Sequence, residues 1–506
     1  MRWWQTGVVY QIYPRSFADA SGDGVGDLEG IRRRLDHLVW LGVDALWLSP
    51  IFRSPMKDFG YDVADYCDID PLFGTLADFD RLLAEAHARG LRVLLDWVPN
   101  HTSDQHPWFR EARASRESAK RAWYVWRDPA PGGGPPNNWL AAFPRGTPAW
   151  TFDAATRQHY LHLFLPEQPD LDWSNPEVRQ AMHEVIRFWL ARGVDGFRVD
   201  VVHGLGKDPR LPDLPPDLAA IPQSALNDHE STHAILRELR RLVDTHPGEP
   251  VLVGEVWLLL ARTHARYFGR GDELHLLFEL PAAVLGAWDA GAWRERIADV
   301  AARLDPLGAW PTWVLSNHDV PRHRTRFRSE AAARAAAVLL LTLRGTPFLY
   351  QGEELGLENA DVPPARAVDP GGRDGCRGPI PWDASADHGW PAPPWLPWPP
   401  EPERRNVERM RDEPRSILHL YRRVLALRRA SPALHGGSSR LLDAPAGVLA
   451  YERAAGTDLR IVLVNFGRDA VACPAPGRVE IASDGAGDGA PYGGVLAPEQ
   501  AVVIRP

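Results

Sequence analysis

LADFDRLLAEAHARGLRVLLDWVPNH (residues 76–101) decides the reading of the fold. Its first half is an amphipathic helical pattern that ends on Gly90, a helix C-terminus signal. Its second half, RVLLDWVP (92–99), is an unbroken apolar run carrying one acid, as a strand covered on both faces requires. The same unit stands upstream, where LEGIRRRLDHLVWLG (28–42) precedes ALWLSP (45–50). Outward from these, strand-type runs recur at 8–14, 196–202, 251–257, 274–281, 312–319 and 347–355. Eight strands alternating with helices predict an α/β chain folded as a (β/α)8 TIM barrel. A doubly wound sheet would place a glycine-rich phosphate turn after the first strand, and no GxGxxG follows Tyr13.

Two stretches interrupt the alternation. From His101 to Trp173 the chain is long, irregular and rich in Pro, Gly and Trp, too much for one βα loop, so it reads as an inserted domain. Leu355 to about Pro400 is similar and is expected on the same barrel face. After a last helix at 416–430, the runs GVLAYERAA, LRIVLVNFG and AVVIRP predict a C-terminal antiparallel β domain. The expected division is a barrel of 1–100 and 174–430, an insertion of 101–173 after strand 3, and a C-terminal β-sandwich of 431–506.

The 506 residues are 44% hydrophobic and 24% charged, ordinary globular values that exclude wholesale disorder. A net charge of −9 argues against a nucleic-acid partner. Cys67, Cys376 and Cys473 are too sparse for a disulfide framework or a metal motif. No apolar run reaches about 18 residues and MRWWQTGVVYQ is no signal peptide, so a soluble cytoplasmic protein without a membrane partner is expected. The 21 tryptophans suit core packing and, for some, the flat face of a sugar ring.

Side chains at the C-terminal ends of barrel strands face the active site. Here those ends carry Asp96, Asp200, Glu255 and Asp319, with His101, Arg198 and His318 beside them. Two carboxylates about 5–5.5 Å apart serve a retaining glycosidase, one attacking carbon and one protonating the leaving oxygen. Arg198, two residues before Asp200 and on the same strand face, is expected to hold Asp200 ionised as the nucleophile. Glu255, between glycine and Val-Trp, is expected to have its pKa raised by burial, as an acid catalyst needs. HESTH (229–233) fits the zinc pattern HExxH, but NDHESTHAILRELRR reads as an exposed amphipathic helix capped by Asn227 or Asp228.

DWVPNH (96–101), GFRVDVVH (196–203), GEVW (254–257) and SNHD (316–319) resemble, in order, the four signature regions of the α-amylase family of glycoside hydrolases. QPDLDW (168–173), FGYDVADY and YQGEELG resemble its α-glucosidase and oligo-1,6-glucosidase branch. The resemblance implies a nucleophile at Asp200, an acid/base at Glu255 and a transition-state stabiliser at Asp319. It implies sugar contacts from His101, Arg198 and His318, and from Tyr61 and Asp62, which hold the terminal glucose, with Arg373 paired to Asp62. Phe143, Phe164 and Gln168 join them, and Val201 is expected to touch the next sugar and set linkage choice. Two departures are Trp97, where a smaller residue is usual, and a short segment between Gly356 and Gly372.

In DASGDGVGD, Asp19, Ser21, Asp23, Val25 and Asp27 alternate around glycines. This lacks the EF-hand's Glu at position 12, and the resemblance instead implies a structural Ca²⁺ or Mg²⁺ there, with no cofactor for catalysis. The partners implied are small α-glucosides, whose glucosyl group passes to water or to another sugar. A non-catalytic scaffold protein is the contrasting reading, and the retained acids oppose it.

Overall fold

The computed structural model describes all residues except 222–227, 259–260 and 281–287. The eight apolar runs form parallel strands β1 (Val9–Ile12), β2 (Ala45–Leu48), β3 (Arg92–Trp97), β4 (Gly196–Val199), β5 (Val251–Gly254), β6 (Leu276–Leu277), β7 (Thr312–Val314) and β8 (Thr346–Tyr350). They lie in the order β6-β5-β4-β3-β2-β1-β8-β7, and a parallel bridge between Phe278 and Thr312 joins the two ends into a barrel. Alternate residues face opposite sides. Val9, Trp47, Leu94 and Val251 fill the barrel interior, while Tyr10, Leu46, Val93 and Leu252 pack outward against the helices.

The helix expected at 76–90 runs Leu76–Ala88, with the Thr75 hydroxyl and the Asp78 carboxylate satisfying each other's backbone N–H groups in a capping box. The segment at 28–42 is two helices, Leu28–Arg33 and Leu35–Leu41. They part at Arg34, whose guanidinium lies over the Trp382 ring at 4.3 Å. Gly42 closes the second at φ 100°, a conformation costly for any residue with a Cβ.

Between β3 and the helix Pro176–Ala191, strands Trp126–Arg127, Trp150–Asp153 and Gln158–Leu161 form a small antiparallel sheet. It has its own apolar cluster of Val125, Trp139, Trp150, Leu161 and Leu163. At the other end, β9 (Ser438–Leu442), β10 (Val448–Ala455), β11 (Asp458–Asn465), β12 (Arg478–Ala482) and β13 (Ala501–Arg505) form an antiparallel sheet ordered β9-β10-β11-β13-β12. Tyr451, Val462 and Val464 join the barrel's outer core, and Ala450, Leu463 and Val502 pack on the opposite face. Buried Arg428, on the helix Ile417–Ala430, donates to the carbonyls of Leu341 at 2.9 Å, Leu434 at 3.1 Å and Gly345 at 2.6 Å, tying the last helices to the start of β8.

The HESTH helix runs Glu230–Asp244 and its cap is His229, whose ring accepts from the Ser231 N–H. Asp228 therefore precedes the cap, and Asn227 lies outside the described residues. With His229 outside the helix, the two histidines do not share a helical face, and His233 pairs with Glu273 at 2.7 Å and Asp228 at 3.0 Å. Of the 21 tryptophans only Trp257 is exposed, so core packing accounts for nearly all of them. Among the described residues no helix is long and apolar enough to cross a membrane.

Candidate active site

β3 and β4 pair with Asp96 beside Arg198, and β4 pairs with β5 so that Glu255 follows directly on the barrel rim. Asp200 follows β4 on the same side as Arg198. The fully buried Arg198 guanidinium meets all three acids. One terminal nitrogen donates to Asp96 at 2.7 Å and Asp200 at 2.5 Å, and the other lies 2.9 Å from Glu255. Asp200 and Glu255 are thereby drawn together on one guanidinium. Glu255 is held from two further sides, by the Val201 N–H at 3.2 Å and the Trp257 indole N–H at 3.0 Å. Val201 pays for that contact with a left-handed backbone, φ 42° and ψ 47°, which is strained for a β-branched residue.

His318 is the second organiser. The Gln11 amide donates to its Nδ1 at 2.8 Å, which leaves the proton on Nε2. That nitrogen faces the Tyr61 hydroxyl at 2.6 Å and Asp319 at 3.2 Å, and Tyr61 donates onward to Asp96 at 2.9 Å. The Tyr61 and His318 rings stack 5.4 Å apart and nearly parallel. Burial takes the His318 pKa down to about 3, against the pull of Asp319, so the ring is neutral at ordinary pH.

A cavity of about 480 Å³ opens above these groups. Asp58, Tyr61, His101, Phe143, Phe164, Asp200, Val201, Glu255, Asp319 and Arg373 line it, so the three expected catalytic acids converge. Arg198, Gln168 and His318 lie one layer back and hold the lining groups. Phe143 and Phe164 form one wall, their rings 6.2 Å apart, and the Arg373 guanidinium lies over Phe143 at 4.9 Å. Gly371 permits this approach, because a Cβ there would sit 3.0 Å from the Phe143 ring.

The expected Arg373–Asp62 pair does not form. Arg373 meets Asp58 at 2.6 Å, Asp369 at 2.7 Å and Asp319 at 3.0 Å. Asp62 is fully buried away from the cavity and accepts from the Ser54 hydroxyl and from the Lys57 and Asp58 N–H groups, at 2.8–3.0 Å. The reason is local. Phe59 at φ 49° and Gly60 at φ 108° reverse the chain, which turns Asp58 toward Arg373 and Asp62 back onto its own loop. Gln168 completes the set by donating to Asp58 at 3.1 Å.

Burial and the adjoining Glu255 push the Asp200 carboxyl well above the usual carboxylate range, while Arg198 opposes them. Two carboxyls this close behave as a pair that holds one proton between them. Asp319 goes the other way. Burial opposes its charge, but the charges of Arg373, Arg377 and Arg198 outweigh burial and keep it ionised.

In the 19–27 loop the donor chemistry is all oxygen, which suits a hard cation. Its placement closes the loop on itself. Asp19 accepts from Gly22 and Gly24, Asp23 from Val25, and Asp27 from Ala20, Ser21 and the helix N-terminus at Gly30. Among the described residues no three acid, His or Cys side chains are grouped to hold a metal.

A barrel with two facing carboxyls on one arginine and a third acid beside a neutral histidine is the site of a glycoside hydrolase. The family model for the alpha-amylase catalytic domain matches residues 11–437, and a domain of unknown function, DUF3459, matches 435–504. The chain belongs to the alpha-amylase family. It is 43% identical to a probable alpha-glucosidase of Rhizobium meliloti (strain 1021), covering 92% of this chain and 90% of that protein. It is 37% identical to an oligo-1,6-glucosidase of Parageobacillus thermoglucosidasius over the same shares. A crystal structure of an alpha-glucosyl transfer enzyme superposes with a TM-score of 0.92 at 41% identity and full coverage of both chains.

Asp58, Asp369, Arg377, His203 and Trp257 belong to this site or its supports without having been singled out in the sequence. Asp58→Asn should lower kcat/KM on glucose-terminated substrates about 10–100-fold, the worth of a charged hydrogen bond. Asp62→Asn should lower Tm and leave kcat/KM of the folded enzyme within about threefold. Steady-state kinetics and calorimetry on the two variants check this, and the reverse pattern would restore Asp62 to the pocket.

Proposed function

We propose that the protein is a retaining, exo-acting α-glucosidase of small α-glucosides. Asp200 attacks the anomeric carbon of a terminal glucosyl residue, and Glu255 gives its proton to the departing glycosidic oxygen. A β-linked glucosyl-enzyme results. Water then attacks that carbon, Glu255 takes its proton, the Asp200–carbon bond breaks and α-glucose leaves. The carrying observation is the guanidinium of Arg198, one nitrogen on Asp200 and the other on Glu255. It gathers the two carboxyls on one guanidinium, which supports the close pairing of retaining enzymes over the about 6.5–9.5 Å that an inverting water needs.

Exo action is supported by the Arg373–Asp58 pair on the pocket lining, placed to take the non-reducing hydroxyls. Asp319, on the lining and held ionised with His318 behind it, is placed to take ring hydroxyls as positive charge builds on the anomeric carbon. Transfer of the glucosyl group to a sugar is the second reading, favoured by the similar glucosyl transfer enzyme and by the exposed Trp257 face on the lining. A cytoplasmic location is part of the same proposal.

Proton NMR of the first product should show α-glucose, with Asp200→Ala losing several orders of magnitude in kcat. Initial β-glucose would contradict retention. Val201 lines the cavity directly after the nucleophile, so it is proposed to set linkage choice, with both α-1,4 and α-1,6 disaccharides accepted. Val201→Thr should lower the isomaltose-to-maltose ratio of kcat/KM by about tenfold, the scale of one methyl contact. A structural Ca²⁺ or Mg²⁺ on Asp19, Ser21, Asp23, Val25 and Asp27 is proposed on the donor chemistry alone. EDTA should then lower Tm with little change in kcat. An unchanged Tm would mean that the loop's own hydrogen bonds suffice, in which case Asp27→Ala still costs about 1 kcal/mol as a lost helix cap.

A further inference from the structure

The cavity lining contains one cation that the mechanism leaves unused. Asp200 and Glu255 share Arg198, and Asp58 and Asp319 share Arg373. Arg145 lines the same cavity, is exposed, and its guanidinium has no ion pair or hydrogen bond among the described residues.

Its position is built. The segment around it is a tight turn closed at its base, where Ala141 N–H donates to the Thr147 carbonyl at 3.0 Å and Leu140 bridges Pro148. The Thr147 hydroxyl caps the turn on the Pro144 carbonyl at 2.7 Å, and Gly146 takes φ 83°. Phe143 pins the turn to the pocket wall through Phe164 and the Arg373 guanidinium. Arg145, two residues on, therefore stands on the cavity rim while the acids stand at its floor. The polarity of the cavity runs from acid at depth to cation at the mouth. A neutral glucosyl group enters such a cavity first, and a negative charge on the group behind it is repelled from the floor and met at the rim.

We propose that Arg145 recognises a negatively charged aglycone, a phosphate or carboxylate carried by the sugar or aryl group that leaves or accepts the glucosyl residue. This rests on the α-glucosidase reading above. A guanidinium offers a planar fork that matches either anion with two hydrogen bonds.

The test compares kcat/KM for three substrates: neutral p-nitrophenyl α-glucoside, p-carboxyphenyl α-glucoside, and maltose phosphorylated on the 6-hydroxyl of its reducing glucose. Cleavage of the neutral substrate reports the glucosidase reading by itself. Arg145→Gln should lower the anionic-to-neutral ratio about tenfold, Arg145→Lys less, and Arg145→Glu more, with Tm unchanged because the side chain is exposed. In the wild type the same ratio should fall as salt rises, as a rim charge requires. A fall with only one anion names phosphate or carboxylate as the ligand. Ratios unaltered for both anions in all three variants would overturn the proposal while leaving the glucosidase reading intact.

Discussion

The buried guanidinium of Arg198 is the constraint on which the site depends. Three carboxyls at the ends of three adjacent strands would repel one another and lose their hydration. One arginine beneath them supplies the opposing charge and a fixed geometry. The barrel makes this placement possible, because β3, β4 and β5 are neighbours in register and Arg198 points inward between Asp96 and Glu255. The pair that must divide one proton is thereby fixed by covalent strand geometry and one side chain.

The rest of the pocket is carried by chain that interrupts the barrel. The inserted segment supplies the aromatic wall of Phe143 and Phe164, and the segment after β8 supplies Arg373 and Arg377. These two segments meet at the contact of Arg373 with Phe143. Trp395 anchors the second of them over Arg15 at 4.6 Å and to the Ser16 hydroxyl at 3.0 Å. The irregular stretches thus supply walls of the pocket.

All eight barrel strands were legible in the sequence because each is an apolar run bounded by turns and covered on both faces. The catalytic acids were legible because strand ends in this fold face one mouth. Asp58 was not, because Asp58 and Asp62 flank the same turn and only the backbone reversal at Phe59 and Gly60 decides which one reaches Arg373. The helix cap at His229 was missed because a histidine ring nitrogen did a job usually given to Ser, Thr, Asp or Asn.

Arg198→Lys tests the central claim most directly. Lysine keeps the charge but replaces a planar fork with a single ammonium, which cannot hold Asp96, Asp200 and Glu255 in their present directions. The account predicts a fall in kcat/KM of more than about 1,000-fold on a neutral α-glucoside, with circular dichroism showing the barrel still folded. Activity within about tenfold of wild type would contradict it, since charge alone would then suffice and the guanidinium geometry would not be what organises the site.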